Sequence, residues 1–220
     1  MKYVLFADDQ VSVVSGFGLA VAQMEGVLVQ GYAKDGEQAL EMCEKSKPDV
    51  LVARLRLPKL DGVSLMNALE SRELATRVVI YTGTMNGAIL RTAQQVLPAA
   101  LFHKQDTLEQ LRTAVDAACS GGVFVSPTAA KVLKSSGDVA MPLTPMELTV
   151  AKRLCAGEQN KQISTLLHIS EKTVSSHRQH IYSRLGVHDI VGLMNWMSQQ
   201  KWNFDSMGET PPSEHLITRN

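Results

Sequence analysis

The sequence predicts a doubly wound, five-stranded parallel α/β sheet followed by an all-α domain of four helices. Three observations carry this. Strand-like and helix-like apolar patterns alternate strictly over about the first 120 residues, and from Leu143 onward the pattern is helical throughout. Between the two lies a stretch of small, polar and turn-forming residues that reads as a join.

In chain order, the strand-like runs are KYVLFA, VLVQGYA, DVLVA, RVVIYT and ALFH. Helical patterns fall between and after them, at Val13 to Met24, Glu37 to Cys43, Ser64 to Leu69, Ala88 to Val96 and Leu108 to Ala118. Asp35-Gly36, Asp61-Gly62 and Asn86-Gly87 punctuate the transitions, Thr107 caps the last of these helices, and Gly121-Gly122 ends it. Residues 1–122 are therefore read as one domain. Residues 123–142 are read as a linker in which Pro127 opens a short helix and SSGDVAMP is flexible.

Residues 143–200 form the second domain. Thr144, Pro145 and Glu147 read as an N-cap, a first-turn proline and a capping-box acid. That helix stops at Gly157. Asn160 caps a short helix, His168-Ile169 makes a corner, and Ser170 caps a longer basic helix that ends at Gly186. Asp189 caps a final helix whose Ile190, Leu193, Met194 and Met197 share a stripe. Two helices joined by a few residues, the second longer and basic, make a helix-turn-helix. The tail, 201–220, lacks periodicity and is read as flexible.

Composition narrows the function classes. The chain is 45% hydrophobic and 20% charged, with no signal-like segment and no apolar run long enough to span a bilayer, which predicts a cytoplasmic protein without membrane contact. Cys43, Cys119 and Cys155 are odd in number and widely spaced, so free thiols are expected rather than a disulfide or metal site. Formal net charge is zero. Yet from Val150 to His188 the bases Lys152, Arg153, Lys161, Lys172, Arg178 and Arg184 face only Glu158 and Glu171, an excess that points to a polyanion or, more plainly, to a solvated helix face. His177 and His180 lack a third ligand for a metal. No nucleophile–base constellation or phosphate loop is visible, so neither an enzyme nor a bound cofactor is predicted.

The stretch PDVLVARLRLPKLDG carries the main question. Arg54 ends the buried run Val50 to Ala53, and Asp8 and Asp9 end the first strand. In an open parallel sheet these ends share one edge, where ligands bind. An arginine facing two carboxylates there is either a structural ion pair or the remains of an active site.

LTPMELTVAKRLCAGEQNKQISTLLHISEKTVSSHRQHIYSRLGV closely resembles the LuxR-type DNA-binding domain, and the first half resembles the flavodoxin-like receiver domain of two-component systems. Together, over roughly residues 2 to 200, they resemble the NarL/FixJ class of bacterial response regulators. The resemblance implies that Asp8 and Asp9 match the acidic pair that holds Mg²⁺ in active receivers, Thr82 the hydroxyl residue that senses the phosphoryl group, and Lys104 the lysine ending the fifth strand. Leu101 stands where many receivers have a switching aromatic, with Phe102 facing the other way. The phosphoacceptor aspartate of the family falls on Arg54. Asp49 lies about 16 Å away along the strand at ~3.3 Å per residue, and Asp61 matches a loop residue, so neither replaces it.

Asp8, Asp9, Arg54 and Lys104 sum to zero charge, because exchanging aspartate for arginine adds the two charges of the missing cation. The guanidinium is expected across Asp8 and Asp9; the alternative is an arginine pointing into water.

For the second domain, the resemblance implies that Ser175, Ser176 and Gln179 approach base edges. Lys161, Lys172, Thr173, His177, Arg178 and Arg184 are assigned to phosphates. The predicted function is transcriptional regulation through double-stranded DNA, as a homodimer and independently of aspartyl phosphate. The alternative is a co-regulator that heterodimerises with another regulator and alters its DNA site.

Overall fold

The computed structural model describes residues 1–135 and 142–199. The expected flexible segment within the join, apart from Ser135 and Pro142, and the expected tail lie outside the described residues. Strands β1 (Lys2–Ala7), β2 (Val27–Ala33), β3 (Val50–Arg54), β4 (Arg77–Thr82) and β5 (Ala100–His103) alternate with α1 (Val11–Ala22), α2 (Gly36–Ser46), α3 (Gly62–Ser71), α4 (Gly87–Gln95) and α5 (Leu108–Cys119). These strands run parallel in the order β2-β1-β3-β4-β5.

Among the described residues the sheet has six strands where the sequence predicts five. The extra strand, β6 (Phe124–Val125), pairs with β5, and α6 (Pro127–Ser135) follows it and packs against α4 and β5. Part of the predicted linker is therefore built into the sheet. Two residues are too few to show a period, which is why β6 escaped the pattern.

Strand side chains alternate between two cores, as the pleat requires. Val4, Phe6, Val50, Val52, Val79, Tyr81 and Phe102 point to the side covered by α1 and α5. Leu5, Ala7, Leu51, Ala53, Ile80 and Leu101 point to the other side. Leu101 and Phe102 accordingly lie on opposite faces. Gly36 opens α2 against the loop before α3, where a Cβ would stand 1.8 Å from the Leu60 carbonyl oxygen, so only glycine fits.

Four helices follow: α7 (Pro145–Cys155), α8 (Asn160–Leu167), α9 (Glu171–Leu185) and α10 (Ile190–Gln199). Thr144 and Glu147 form the capping box of α7, and Ser170 caps α9 by accepting from the Thr173 amide. Gly186 ends α9 at φ 65°, a left-handed value that favours glycine. The cap of α8 is Gln159, one residue before the predicted Asn160. Val174, Ile181, Ile163, Leu167, Leu193 and Met197 are fully buried among these helices. Ile190 and Met194, predicted on the same stripe, are 38% and 48% exposed. Among the described residues, no helix is long and apolar enough to cross a membrane.

Candidate functional site

Strand register assembles the pocket. Ala7 pairs with Ala53 and Arg54 with Tyr81, so the carboxyl ends of β1, β3 and β4 come level. Asp8 and Asp9 follow β1, and Lys104 follows β5, its amide bonded to the Thr82 carbonyl at 2.8 Å.

Arg54 does not point into water. Its Nη1 donates to Asp8 Oδ1 at 3.2 Å and to Asp9 Oδ1, bridging the two carboxylates. Lys104 Nζ is 3.8 Å from the other oxygen of Asp8 and lies over the Tyr81 ring. The Tyr81 hydroxyl donates to Asp8 Oδ2, and the Gln10 amide donates to Asp8 Oδ1. Thr82 is buried, and its hydroxyl accepts from the Thr84 amide at 3.1 Å.

Burial opposes charge on Asp8, but hydrogen bonds shared with Asp9, Tyr81 and the Gln10 amide, together with Arg54, hold its carboxyl below the usual range. Asp9 goes the other way, raised by burial and by its bond to Asp8. Burial, with Asp8 alongside, pushes the Tyr81 phenol up, so it stays a donor. Burial also lowers Lys104. A divalent cation fits this set poorly, because three of the four carboxylate oxygens already accept from Arg54, Tyr81 and Gln10, and Arg54 and Lys104 already balance both charges.

Tyr81 is the member that the sequence reading missed. Its signal was present, since period two places residue 81 on the same face as Phe6, Val52 and the pocket above them. Of the two other aspartates weighed, Asp49 bonds Lys2 Nζ and the Tyr3 amide at the opposite edge. Asp61 caps α3 through the Val63 and Ser64 amides.

The residues predicted to meet DNA divide into two sets. Lys161, Lys172, Thr173, Ser176, Arg178 and Gln179 are exposed. Ser175 is half-buried and accepts from Asn160 Nδ2 at 3.0 Å. Arg184 turns to α7, with its Nη1 2.9 Å from Glu147 Oε2. His177 is half-buried, its imidazole lowered by burial despite the opposing pull of Glu147. Glu147 is buried inside the helical domain and ties down Arg184, which itself stays exposed.

Comparison with known proteins joins the two sites. Residues 4–116 match the response regulator receiver domain, and residues 141–197 match the bacterial regulatory proteins of the luxR family. The chain is 31% identical over 191 residues to the Mycobacterium tuberculosis protein described as probable transcriptional regulatory protein NarL, covering 84% of this chain and 88% of that one. It is 26% identical over 207 residues to the nitrate/nitrite response regulator protein NarL of Escherichia coli, covering 90% and 95%. The RcsB response regulator of Salmonella typhimurium superposes with a TM-score of 0.58 at 26% identity, over 90% of this chain and 98% of that one. RcsB in complex with DNA gives 0.59 over the same shares. With its receiver and luxR-family segments joined in that order and matched along nearly the full length of NarL, this chain belongs to the NarL-type response regulators of two-component systems.

Proposed function

We propose that this DNA-binding transcription regulator works independently of aspartyl phosphorylation, because Arg54 stands where the family carries its phosphoacceptor. The supporting observation is the Arg54 Nη1 bridge between Asp8 and Asp9. Phosphoryl transfer to a receiver needs a carboxylate nucleophile and a cation to gather the phosphoryl oxygens. Here a fixed, always-protonated guanidinium takes the place of both, and the four charges cancel. Asp49 lies at the wrong edge, and Asp61 is engaged as a helix cap.

DNA contact falls to α9. Ser176 and Gln179 lie on its open face for base edges, with Ser175 half-buried beside them, and Lys172, Thr173 and Arg178, together with Lys161 of α8, are exposed for phosphates. RcsB, a relative of matching architecture, is known as dimers bound to DNA, which supports a homodimer here. A heterodimer with another regulator is the second reading. It draws on apolar groups exposed on α10, Val191 at 60% and Met194 at 48%, which serve a like or an unlike partner equally. A gel shift with the purified chain alone separates the two, since tight specific binding without a partner supports the homodimer.

The phosphorylation reading is tested with radiolabelled acetyl phosphate and Mg²⁺ on the wild type and on Arg54→Asp. The wild type should take no acid-stable, base-labile label, while the variant regains a third carboxylate and is labelled. Equal labelling of the two proteins would sink the reading.

A further inference from the structure

The sequence assigns Lys152 and Arg153 to the basic surface of the second domain. The structure turns both toward the first. Lys152 Nζ lies 2.7 Å from Asp61 Oδ2, the residue that caps α3. Arg153 is 7% exposed, pairs with Glu158, and has Nη1 3.8 Å from Glu37 at the start of α2. One turn from Lys152, Thr149 Oγ1 accepts from Asn67 Nδ2 at 2.9 Å, and both residues are buried.

Arg72, just past α3, closes the far end. Its Nη2 donates to the Leu166 carbonyl at 3.0 Å and its Nη1 pairs with Glu44 at 2.7 Å. A cation thereby meets the carbonyl end of α8, where the helix dipole is negative. Charge is complementary along the whole contact, with receiver carboxylates opposite α7 bases and a receiver arginine opposite α8 carbonyls. Lys152 with Asp61, Asn67 with Thr149 and Arg72 with the Leu166 carbonyl all pair across the domain boundary, and α3 is buried almost throughout.

The contact leaves α9 alone. Lys172, Thr173, Ser176, Arg178 and Gln179 remain exposed with the two halves docked. Helix α7 lies between, with one face on α3 and another on α9.

We propose that the contact of α3 with α7 and α8 is a standing interdomain clamp that presents α9 outward, so that the docked chain is itself the DNA-binding form. The proposal rests on the reading of α9 as the DNA-contacting helix. In a receiver whose pocket is closed by Arg54, no phosphoryl signal is then needed to uncover the helix.

The double variant Arg72→Ala, Lys152→Met of the full chain tests it. Removing Lys152 leaves Asp61 without its cation while docked, so the carboxylate favours water and separation. Hydrogen exchange should rise in α3 and α7 while protection in β3 and β4 holds, which certifies the fold. If those strands also lose protection, Lys152→Met alone, which nearly keeps the side-chain volume, carries the same test. Affinity for a labelled random-sequence duplex at low salt should stay within about twofold of wild type. A rise of about tenfold or more would mean that docking hides α9, and would overturn the proposal. Unchanged exchange in α3 and α7 would overturn the clamp itself. If neither protein binds any duplex, the DNA reading of α9 fails, and the exchange data still decide whether the clamp exists.

Discussion

At the residue scale, alternation along parallel strands decides who meets whom. Even-numbered side chains of β1 and β3 and odd-numbered ones of β4 face α1 and α5, which brings Asp8, Arg54 and Tyr81 to one corner. Asp8 is 3% exposed, and it keeps its charge there only because several donors converge on it. The Tyr81 ring itself packs edge-on against Phe17, which fixes where its hydroxyl points. Tyr81→Phe keeps that packing and removes one donor from a buried carboxylate. A buried acceptor left short of a partner costs about 1–2 kcal/mol, so the variant should lose about that much unfolding free energy and show a lower urea midpoint. An unchanged midpoint would show that Asp8 does not depend on Tyr81. The acids and Arg54 were legible in the sequence from their places at strand ends. Tyr81 was legible only as a core position, since period two gives its face but not the carboxylate that its hydroxyl meets.

At the element scale, helix caps serve as attachment points. Glu147 completes the capping box of α7 and also receives Arg184 from α9. Asp61 caps α3 and also receives Lys152 from α7. Most caps were readable as short motifs, among them Thr107, Thr144, Ser170 and Gly186, because a cap is set by two or three neighbouring residues. Their second partners lie far along the chain and leave no local trace. The same limit explains α10, where the predicted stripe is wider than the buried line through Leu193 and Met197. Asp61 also makes the clamp sensitive to acid. Burial opposes its charge, but Lys152 and the Ser64 bonds outweigh it and hold the carboxyl below its ordinary 3.8. A depressed value means that the ion pair stabilises the docked chain above the ordinary carboxylate range, and that this support is lost as pH falls through the lowered value. Carbon-detected NMR of the Asp61 carboxyl should give a midpoint below 3.8, moving upward in Lys152→Met. A wild-type midpoint at or above the ordinary value would contradict the pairing.

At the scale of the whole molecule, the order of strands and helices was legible because each core strand and helix carries its own period. How the two halves meet was not. Lys152 and Arg153 read as members of a basic surface, and sign of charge alone cannot tell a carboxylate of the first domain from a phosphate of DNA. The strand within the join left no trace for a related reason, since its small and polar neighbours resemble a linker while the backbone of Phe124 and Val125 extends the sheet. Phe124 and Ser126 amides donate to the Ala99 and Leu101 carbonyls at 3.0 and 2.9 Å, closing the edge of β5. The Ser126 hydroxyl accepts from the His103 amide at 3.0 Å, and Thr128 Oγ1 bonds Asp106 at 2.6 Å, just beyond Lys104. Ala129 and Val132 of α6 are 1% and 2% exposed and belong to the core on the α4 side. The folded unit of the first domain is therefore expected to run through Ser135 rather than to stop at Gly122. Burying one valine and one alanine and making four hydrogen bonds is worth about 4–9 kcal/mol before the entropy of ordering the segment is subtracted. Two truncated chains, 1–122 and 1–135, make the comparison. The shorter should unfold at a clearly lower urea concentration and self-associate through the bared β5 edge, while the longer stays monodisperse. Equal midpoints would mean that β6 and α6 rest on the receiver without supporting it.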